Sequence, residues 1–305
     1  VLRNGQAVGT YPADAISDER LIELIIGRSL TATFPPKPSL SRSVAPVLAV
    51  ASLSAGRMRD VSLDLRPGEI LGVAGLQGMG QLELFLTLFG DMTPKGGTVR
   101  LDGRPIVLRS PRDAVRARIG VNLVPEDRKT EGLFLKLDGR RNTSLPIVGR
   151  FTTKAGLIDR GAEAAAVAGA FQRVQVDTRA LYTPVGAFSG GNQQKVVLAK
   201  WILAGSRVLL LFDPTRGVDV GTKHEIYLLI NDYARAGGAV LLYSTELAEV
   251  INLSHRVLVL YGGRVVAELD DSRGEVTEAA IMQVALGGAA RTAPEQAAAE
   301  PKAAQ

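Results

Sequence analysis

The chain has 305 residues, enough for one large α/β domain with appendages, and a hydrophobic content of 46%, ample for a buried core and contrary to disorder as the default. It contains no cysteine, which excludes disulfides and thiolate metal sites and fits a reducing compartment. Lys plus Arg exceed Asp plus Glu by 36 to 31, an excess of +5 too small and scattered to imply nucleic acid; a solvated surface is the reading it supports.

The chain opens on Val1, without the charged-then-apolar build of a signal peptide. Its first 28 residues, VLRNGQAVGTYPADAISDERLIELIIGR, resemble VLYGGRVVAELDDSRGEVTEAAIMQVALGG from Val259 to Gly288. Both run apolar pair, Gly turn, short strand, acidic loop and amphipathic helix. In the first copy Leu21, Ile22, Leu24, Ile25 and Ile26 supply the apolar face, and Gly27 sits at the C-cap. Residues 1–30 are therefore expected to be the tail of a preceding domain of the same kind, and 31–46, with TFPPKPSLSRSVAP, a Pro-rich linker. The main domain is expected over 47–288. The stretch 289–305 has no bulky apolar residue and reads as a disordered tail.

Within the main domain VSLDL (Val61 to Leu65) alternates as a strand, Pro67-Gly68 turns, and EILGVAG (Glu69 to Gly75) is a buried strand. TVRLDGRPI (Thr98 to Ile106) predicts a hairpin about Asp102-Gly103. From about 140 to 187 the chain turns helical and Ala-rich. VLLLF (Val208 to Phe212) and AVLLYST (Ala239 to Thr245) are buried strands separated by a helix near His224 to Tyr233. Strands alternating with helices imply a parallel core sheet. No apolar run approaches the ~20 residues that a membrane span needs, so a soluble, cytoplasmic protein is expected.

GLQGMGQL (Gly75 to Leu82) follows a buried strand and opens a helix, the context a phosphate-cradling loop requires. Gly75, Gly78 and Gly80 permit positive φ; Gln77 and Met79 lie between them. Against G-x-x-x-x-G-K-[ST], Gln81 stands at the Lys and Leu82 at the hydroxyl that binds Mg²⁺. Replacing a charge-assisted hydrogen bond by a neutral one weakens the phosphate hold roughly tenfold, and Glu83 adds a like charge. The bland alternative is a glycine-rich turn that binds nothing. FSGGNQQKVVLAKW (Phe188 to Trp201) has Ser189 as N-cap and Gly190-Gly191 exposing amides at a helix start, a second anion-ready end. That helix is expected to bury Val197, Leu198, Trp201 and Ile202 as ordinary core.

With VPEDRKTEGL (Val124 to Leu133), FSGGNQQKVVLAKW and DPTRGVDVG in that order, the chain resembles the ATP-binding-cassette family. It is most similar to the second domain of the tandem ATP-binding subunits of bacterial ribose-, galactose- and xylose-type importers. The resemblance covers about 47–288. It implies an α/β P-loop NTPase fold with a parallel core sheet, an antiparallel β subdomain and a helical signature subdomain over about 140–187.

It also implies roles. Ser189, Gly190 and Gly191 fall where the signature contacts ATP held by the opposite domain, with Asn192 standing where many cassettes have Gln. Glu126 takes the Q-loop position and Asp219 the D-loop position at the domain seam. Phe212 replaces the Mg²⁺-binding strand acid, Asp213 takes the general-base position one methylene short, and Thr245 takes the switch-His position. No metal site is expected in this domain; ATP and Mg²⁺ are expected mainly at the partner domain's site. Met58 is the residue expected nearest an adenine, and His224 and His255 are expected to be structural.

The implied partners are a preceding cassette domain, a membrane permease and, indirectly, a sugar-binding protein, with no nucleic acid, on the inner face of the cell membrane. The expected function is a weakly hydrolysing domain that donates its signature to a sugar importer's motor. The alternative is an interaction module that has lost nucleotide. A DNA-repair or translation cassette would call for a long insertion or basic linker, which is missing here.

Overall fold

The computed structural model describes residues 1–3, 6–12, 15–17, 20, 21, 23, 24, 34–116 and 119–288. Ile22, Ile25, Ile26 and Gly27 of the expected first helix, and the expected tail 289–305, lie outside the described residues. The short strands β1 (Leu2–Arg3) and β2 (Gln6–Ala7) form an antiparallel hairpin.

Strands β3 (Leu48–Ala55) and β4 (Met58–Leu65) begin the main domain. In β4 buried Met58, Val61, Leu63 and Leu65 are interleaved with exposed polar residues, the period of a sheet covered on one face. Strand β5 (Ile70–Ala74) is buried throughout and leads through the glycine loop into helix α1 (Gln81–Phe89). The hairpin β6 (Gly96–Leu101) and β7 (Arg104–Ile106) turns at Asp102-Gly103 as the sequence predicts. Helix α2 (Pro111–Val115) and strand β8 (Val121–Val124) follow.

The predicted helical region contains helix α3 (Gly139–Ser144), a 3₁₀ segment (Leu145–Phe151), helix α4 (Arg160–Arg173) and two short 3₁₀ turns. Helix α5 (Gly190–Ala204) returns the chain to the core. Strand β9 (Val208–Phe212), helix α6 (Val220–Arg235), strand β10 (Ala239–Tyr243), helix α7 (Leu247–Leu253), strands β11 (Arg256–Tyr261) and β12 (Arg264–Asp270) and helix α8 (Glu278–Ala285) complete it.

Two sheets result. The larger runs β12-β11-β5-β10-β9-β8, parallel except for β12; the smaller, β4-β3-β6-β7, is antiparallel. Strands β5, β9 and β10 are apolar runs because both faces of the parallel sheet are covered, one of them by α1 together with the antiparallel sheet. The parallel core, antiparallel subdomain and helical subdomain agree with the fold expected from the motifs. The carboxyl ends of β5, β10 and β9 lie side by side, and the candidate site is built there.

Two expectations need correction. Met58 is 1% exposed, packed in the core under the antiparallel sheet, so its side chain offers no face to an adenine. Ile202 is only half-buried, whereas Gln193, Gln194, Lys195 and Lys200 are buried. Helix α5 is enclosed on nearly all sides by both the sheet and the helical subdomain, so a single apolar stripe underestimates its burial.

The Pro-rich segment is docked on the domain from Phe34 onward. The Phe34 ring stacks on Tyr227 at 4.9 Å, and Asn231 Nδ2 donates to the Pro36 carbonyl at 2.8 Å. His255 is buried there: its Nδ1 accepts the Ile70 N–H at 3.0 Å, so its Nε2 carries the proton and donates to the Pro38 carbonyl at 2.8 Å. The imidazole is a structural staple between the segment and the sheet.

Candidate functional site

The loop after β5 has the geometry that its glycines predict. Gly75, Gly78 and Gly80 have φ of 145°, 82° and 105°, in the region that side-chain-bearing residues avoid. A Cβ at Gly75 would lie 2.5 Å from the Leu260 carbonyl oxygen, so the loop also needs a glycine to pass β11. Gln77 and Gly78 are exposed, and the Met79 sulfur accepts the Gly262 N–H at 3.4 Å.

Gln81, at the first position of α1, is 2% exposed, and its amide is turned back into the loop. Its Oε1 accepts from Met79 N–H at 3.0 Å and its Nε2 donates to the Leu76 carbonyl at 2.9 Å. The donor expected to face a phosphate is therefore already engaged. Leu82 is 49% exposed and its side chain carries no oxygen.

At the end of β9, Phe212 is buried in an aromatic cluster, stacked on Tyr243 at 4.6 Å and edge-on to Phe85 of α1 at 5.2 Å. The Phe212 ring thus ties α1 to the sheet. Asp213 next to it is buried with φ 52°, a left-handed conformation that Asp tolerates better than most residues. Its carboxylate accepts from Thr245 Oγ1 at 2.8 Å, Thr245 N–H at 3.2 Å and, weakly, Ser244 Oγ at 3.4 Å. Asp213 and Thr245, singled out separately in the sequence, are in direct contact here.

Beneath that contact lies a group that sequence reasoning missed. Glu249 of α7 is 1% exposed and accepts from Thr215 Oγ1 at 2.6 Å, Tyr227 hydroxyl at 2.6 Å and Ser244 Oγ at 2.7 Å. Lys223 Nζ stands 3.9 Å away. Burial first, and then the Glu249 carboxylate, push the Tyr227 hydroxyl far above its ordinary range, keeping it a donor. The signal for Glu249 was an acid flanked by apolar residues on both sides, LAEVI.

The signature residues form a separate corner. Ser189 caps α5, its Oγ accepting from Asn192 N–H at 3.3 Å, and Ser189 and Asn192 are exposed. A Cβ on Gly190 would lie 2.7 Å from an Arg128 nitrogen and 2.9 Å from the Gly217 carbonyl oxygen; one on Gly191 would lie 2.3 Å from the Thr222 methyl. Arg128 in turn donates to the Arg216 and Gly217 carbonyls at 2.7 and 3.0 Å. Glu126 pairs with Arg216. Asp219 caps α6, accepting from Thr222 N–H at 3.0 Å and Thr222 Oγ1 at 2.7 Å. The three motif segments, 124–133, 188–201 and 213–221, therefore pack as one unit. Among the described residues no hydrogen bond joins Ser189–Asn192 to the 75–82 loop.

The sequence family described as "ABC transporter" matches residues 58–216, more than half of the chain, and that span holds both the glycine loop at 75–82 and helix α5. The chain belongs to the ABC transporter family. This ATP-binding domain is 46% identical over 287 residues to a ribose import ATP-binding protein of Rhizobium johnstonii, covering 94% of this chain and 56% of that protein. It is 40% identical over 294 residues to a xylose import ATP-binding protein of Geobacillus kaustophilus, covering 94% and 57%. The chain thus spans little more than half the length of these curated relatives. Among solved structures, the cassette resembles cbiO1 of Clostridium perfringens, part of an ABC transporter complex, at 20% identity and a TM-score of 0.64, covering 80% of this chain and 96% of that one. It also resembles the ADP conformation of the ATP-binding cassette MJ1267, at 15% identity and a TM-score of 0.66, covering 79% and 99%. These two likenesses support the fold.

Proposed function

We propose that this cassette is the weakly hydrolysing, second ATP-binding domain of a sugar importer's tandem subunit, and that it donates its signature to the ATP site of the preceding domain. One contrast carries the reading. The positions for triphosphate and metal hold Gln81, Leu82, Phe212, Asp213 and Thr245, while the helix start at Ser189 to Asn192 keeps its cap and its two glycines, with Ser189 and Asn192 exposed and Gly191 buried. Phosphoryl transfer depends on positioning and charge neutralisation. Leu82 and Phe212 offer no oxygen, and the Asp213 carboxylate is committed to Thr245 and Ser244, so these residues do not fit a magnesium ion. Productive ATP and Mg²⁺ belong, on this reading, to the partner domain's loop, closed by the signature corner of this chain.

The relatives' names supply the importer context: ribose and xylose import. A permease and, through it, a sugar-binding protein follow as partners on the inner face of the membrane. We assign the permease to a groove of about 600 Å³ where the core meets the helical subdomain, with an apolar floor including Phe89, Ile147 and Trp201 and a rim of Arg112, Arg116 and Arg150.

The test is Ser189→Ala in the full-length subunit assembled with its permease. Transport-coupled ATPase should fall by more than tenfold, with the melting temperature monitored because a lost N-cap costs about 1 kcal/mol. An undiminished ATPase would sink the reading. A second reading, a module that no longer binds nucleotide at all, is favoured by the internal bonds of Gln81 and is separated from the first by titrating ATP into the chain.

A further inference from the structure

We infer that Gln81 occupies its own phosphate loop, filling with its side-chain amide the seat that a phosphate oxygen would take and holding the loop in a nucleotide-free form. The inference deepens the reading of a weakly hydrolysing site and rests on it.

In a phosphate loop the backbone N–H groups converge on an anion. Here the Met79 N–H is taken by Gln81 Oε1 at 3.0 Å, while Gln81 Nε2 donates to the Leu76 carbonyl at 2.9 Å, so one amide bridges two points of the loop. The side chain is 2% exposed and is seated in the loop rather than extended to solvent. The amide lies close against the loop backbone: a Cβ at Gly75 would stand 2.9 Å from Gln81 Nε2.

The residue type matters. Lysine has three donors and no acceptor, so at this position it could reach the Leu76 carbonyl but would leave the Met79 N–H for a phosphate. Glutamine both donates and accepts, and closes the loop on itself. A nucleotide must first displace this amide, and its apparent affinity falls by the fraction of molecules in which the seat is open. Two neutral hydrogen bonds correspond to about a tenfold penalty or more. Gln81 is thus a determinant of occupancy, beyond being a missing cation.

The experiment uses the full 305-residue chain, with ATP and Mg²⁺ titrated calorimetrically into wild type and Gln81→Ala. The alanine variant is expected to bind about tenfold more tightly. Equal binding overturns the inference, and weaker binding overturns it and makes Gln81 a nucleotide ligand instead. Amide hydrogen exchange of the wild-type chain alone supplies a readout that needs no variant: the Met79 N–H should be protected at least about tenfold over an open loop and should change its exchange on adding ATP. An unprotected Met79 amide also overturns the inference. Neither measurement touches the signature reading, which stands or falls on Ser189→Ala in the assembled transporter.

Discussion

The carboxyl ends of β5, β9 and β10 and the start of α5 are both places where an ATP-binding cassette can meet a triphosphate, and they are finished in opposite ways. At the strand ends the polar groups are consumed within the chain: Gln81 bonds its own loop, Asp213 bonds Thr245 and Ser244, and Ser244 also bonds Glu249. Phe85, Phe212 and Tyr243 pack the space between. At the α5 start the polar groups of Ser189 and Asn192 face outward, backed by Arg128, Gly217 and Thr222. One region closes its polar side chains on one another, whereas at the other Ser189 and Asn192 stand exposed. A buried polar group without a partner costs about 1–3 kcal/mol, and the strand ends supply such partners within the chain.

The largest way to break that comparison is to remove the hub of the self-satisfied side. Glu249→Ala would leave the buried hydroxyls of Thr215, Tyr227 and Ser244 without their common acceptor. A loss of about 3 kcal/mol or more is expected, since hydrogen bonds to a charged group contribute about 1.5–3 kcal/mol each. Glu249→Gln keeps one acceptor oxygen and should cost clearly less. Urea midpoints of the three proteins check this; an alanine variant within about 1 kcal/mol of wild type would show the hub to be dispensable.

On the open side the corresponding change is Gly191→Ala. Its Cβ would fall 2.3 Å from the Thr222 methyl, so α5 must shift from α6. Overpacking of this kind costs about 1–3 kcal/mol. Thr222→Ser would remove that methyl but leave the hydroxyl 2.7 Å and the Cβ 2.8 Å from the new group, so it should recover only part of the loss, whereas Thr222→Gly, which removes all three atoms, should recover more. No recovery with Thr222→Gly would separate Gly191 from Thr222.

The two regions were also unequally legible. Strands β5, β9 and β10, the loop between β5 and α1, and the cap at Ser189 follow from local patterns: short apolar runs, glycines before a helix, a hydroxyl at a helix start. The departures at Gln81, Leu82 and Phe212 could be read by position alone. What those residues do instead could not. The amide of Gln81 turns inward because two loop groups need partners, and Phe212 is held by rings of two other elements; both depend on contacts that no periodicity carries. Met58 shows the same limit, since proximity in sequence to the glycine loop suggested an open face and the sheet buried it. The 34–46 segment read as a spacer because prolines exclude helix, yet prolines leave carbonyls for others to bond, and Asn231 and His255 take two of them.

A smaller effect probes how firmly the signature helix is held from beneath. Lys200 of α5 is buried beside Trp201 and bonded to the Gly132 carbonyl, and burial pushes its ammonium down to about 8. Between about pH 8 and the ordinary lysine value near 10.4 the unfolded chain keeps a proton that the folded chain has lost. Stability should therefore rise with pH across this window, by at most about 1.4 kcal/mol per unit. Lys200→Met should flatten that rise. Chemical denaturation of both proteins at about pH 7.5, 8.5 and 9.5 reads the difference, and parallel curves would assign the slope to other groups.

The smallest expected effect concerns neither region directly but the segment that leads into both. Arg42 forks onto the Asp270 carboxylate at 2.5 Å, and Ser272 donates to the same group from its N–H at 2.9 Å and its hydroxyl at 2.8 Å. Arg42 first, then Ser272, hold this carboxyl well below the usual carboxylate range. Because the folded value is depressed, the pair's contribution is present above the ordinary Asp value of about 3.9 and is lost as pH falls toward the folded value. The Arg42 side chain is 46% exposed, so solvent screens the pair and Arg42→Ala should cost only about 1 kcal/mol at pH 7. The gap between wild type and variant should close as the pH is lowered from about 4 toward 2, which urea midpoints along that series would follow. A gap that persists undiminished in acid would mean that the arginine stem holds the segment by packing. A gap that closes means that charge fastens the docked segment to the end of β12, and that the chain entering the cassette is tied down electrostatically at one end while Phe34, stacked on Tyr227, anchors it by contact at the other.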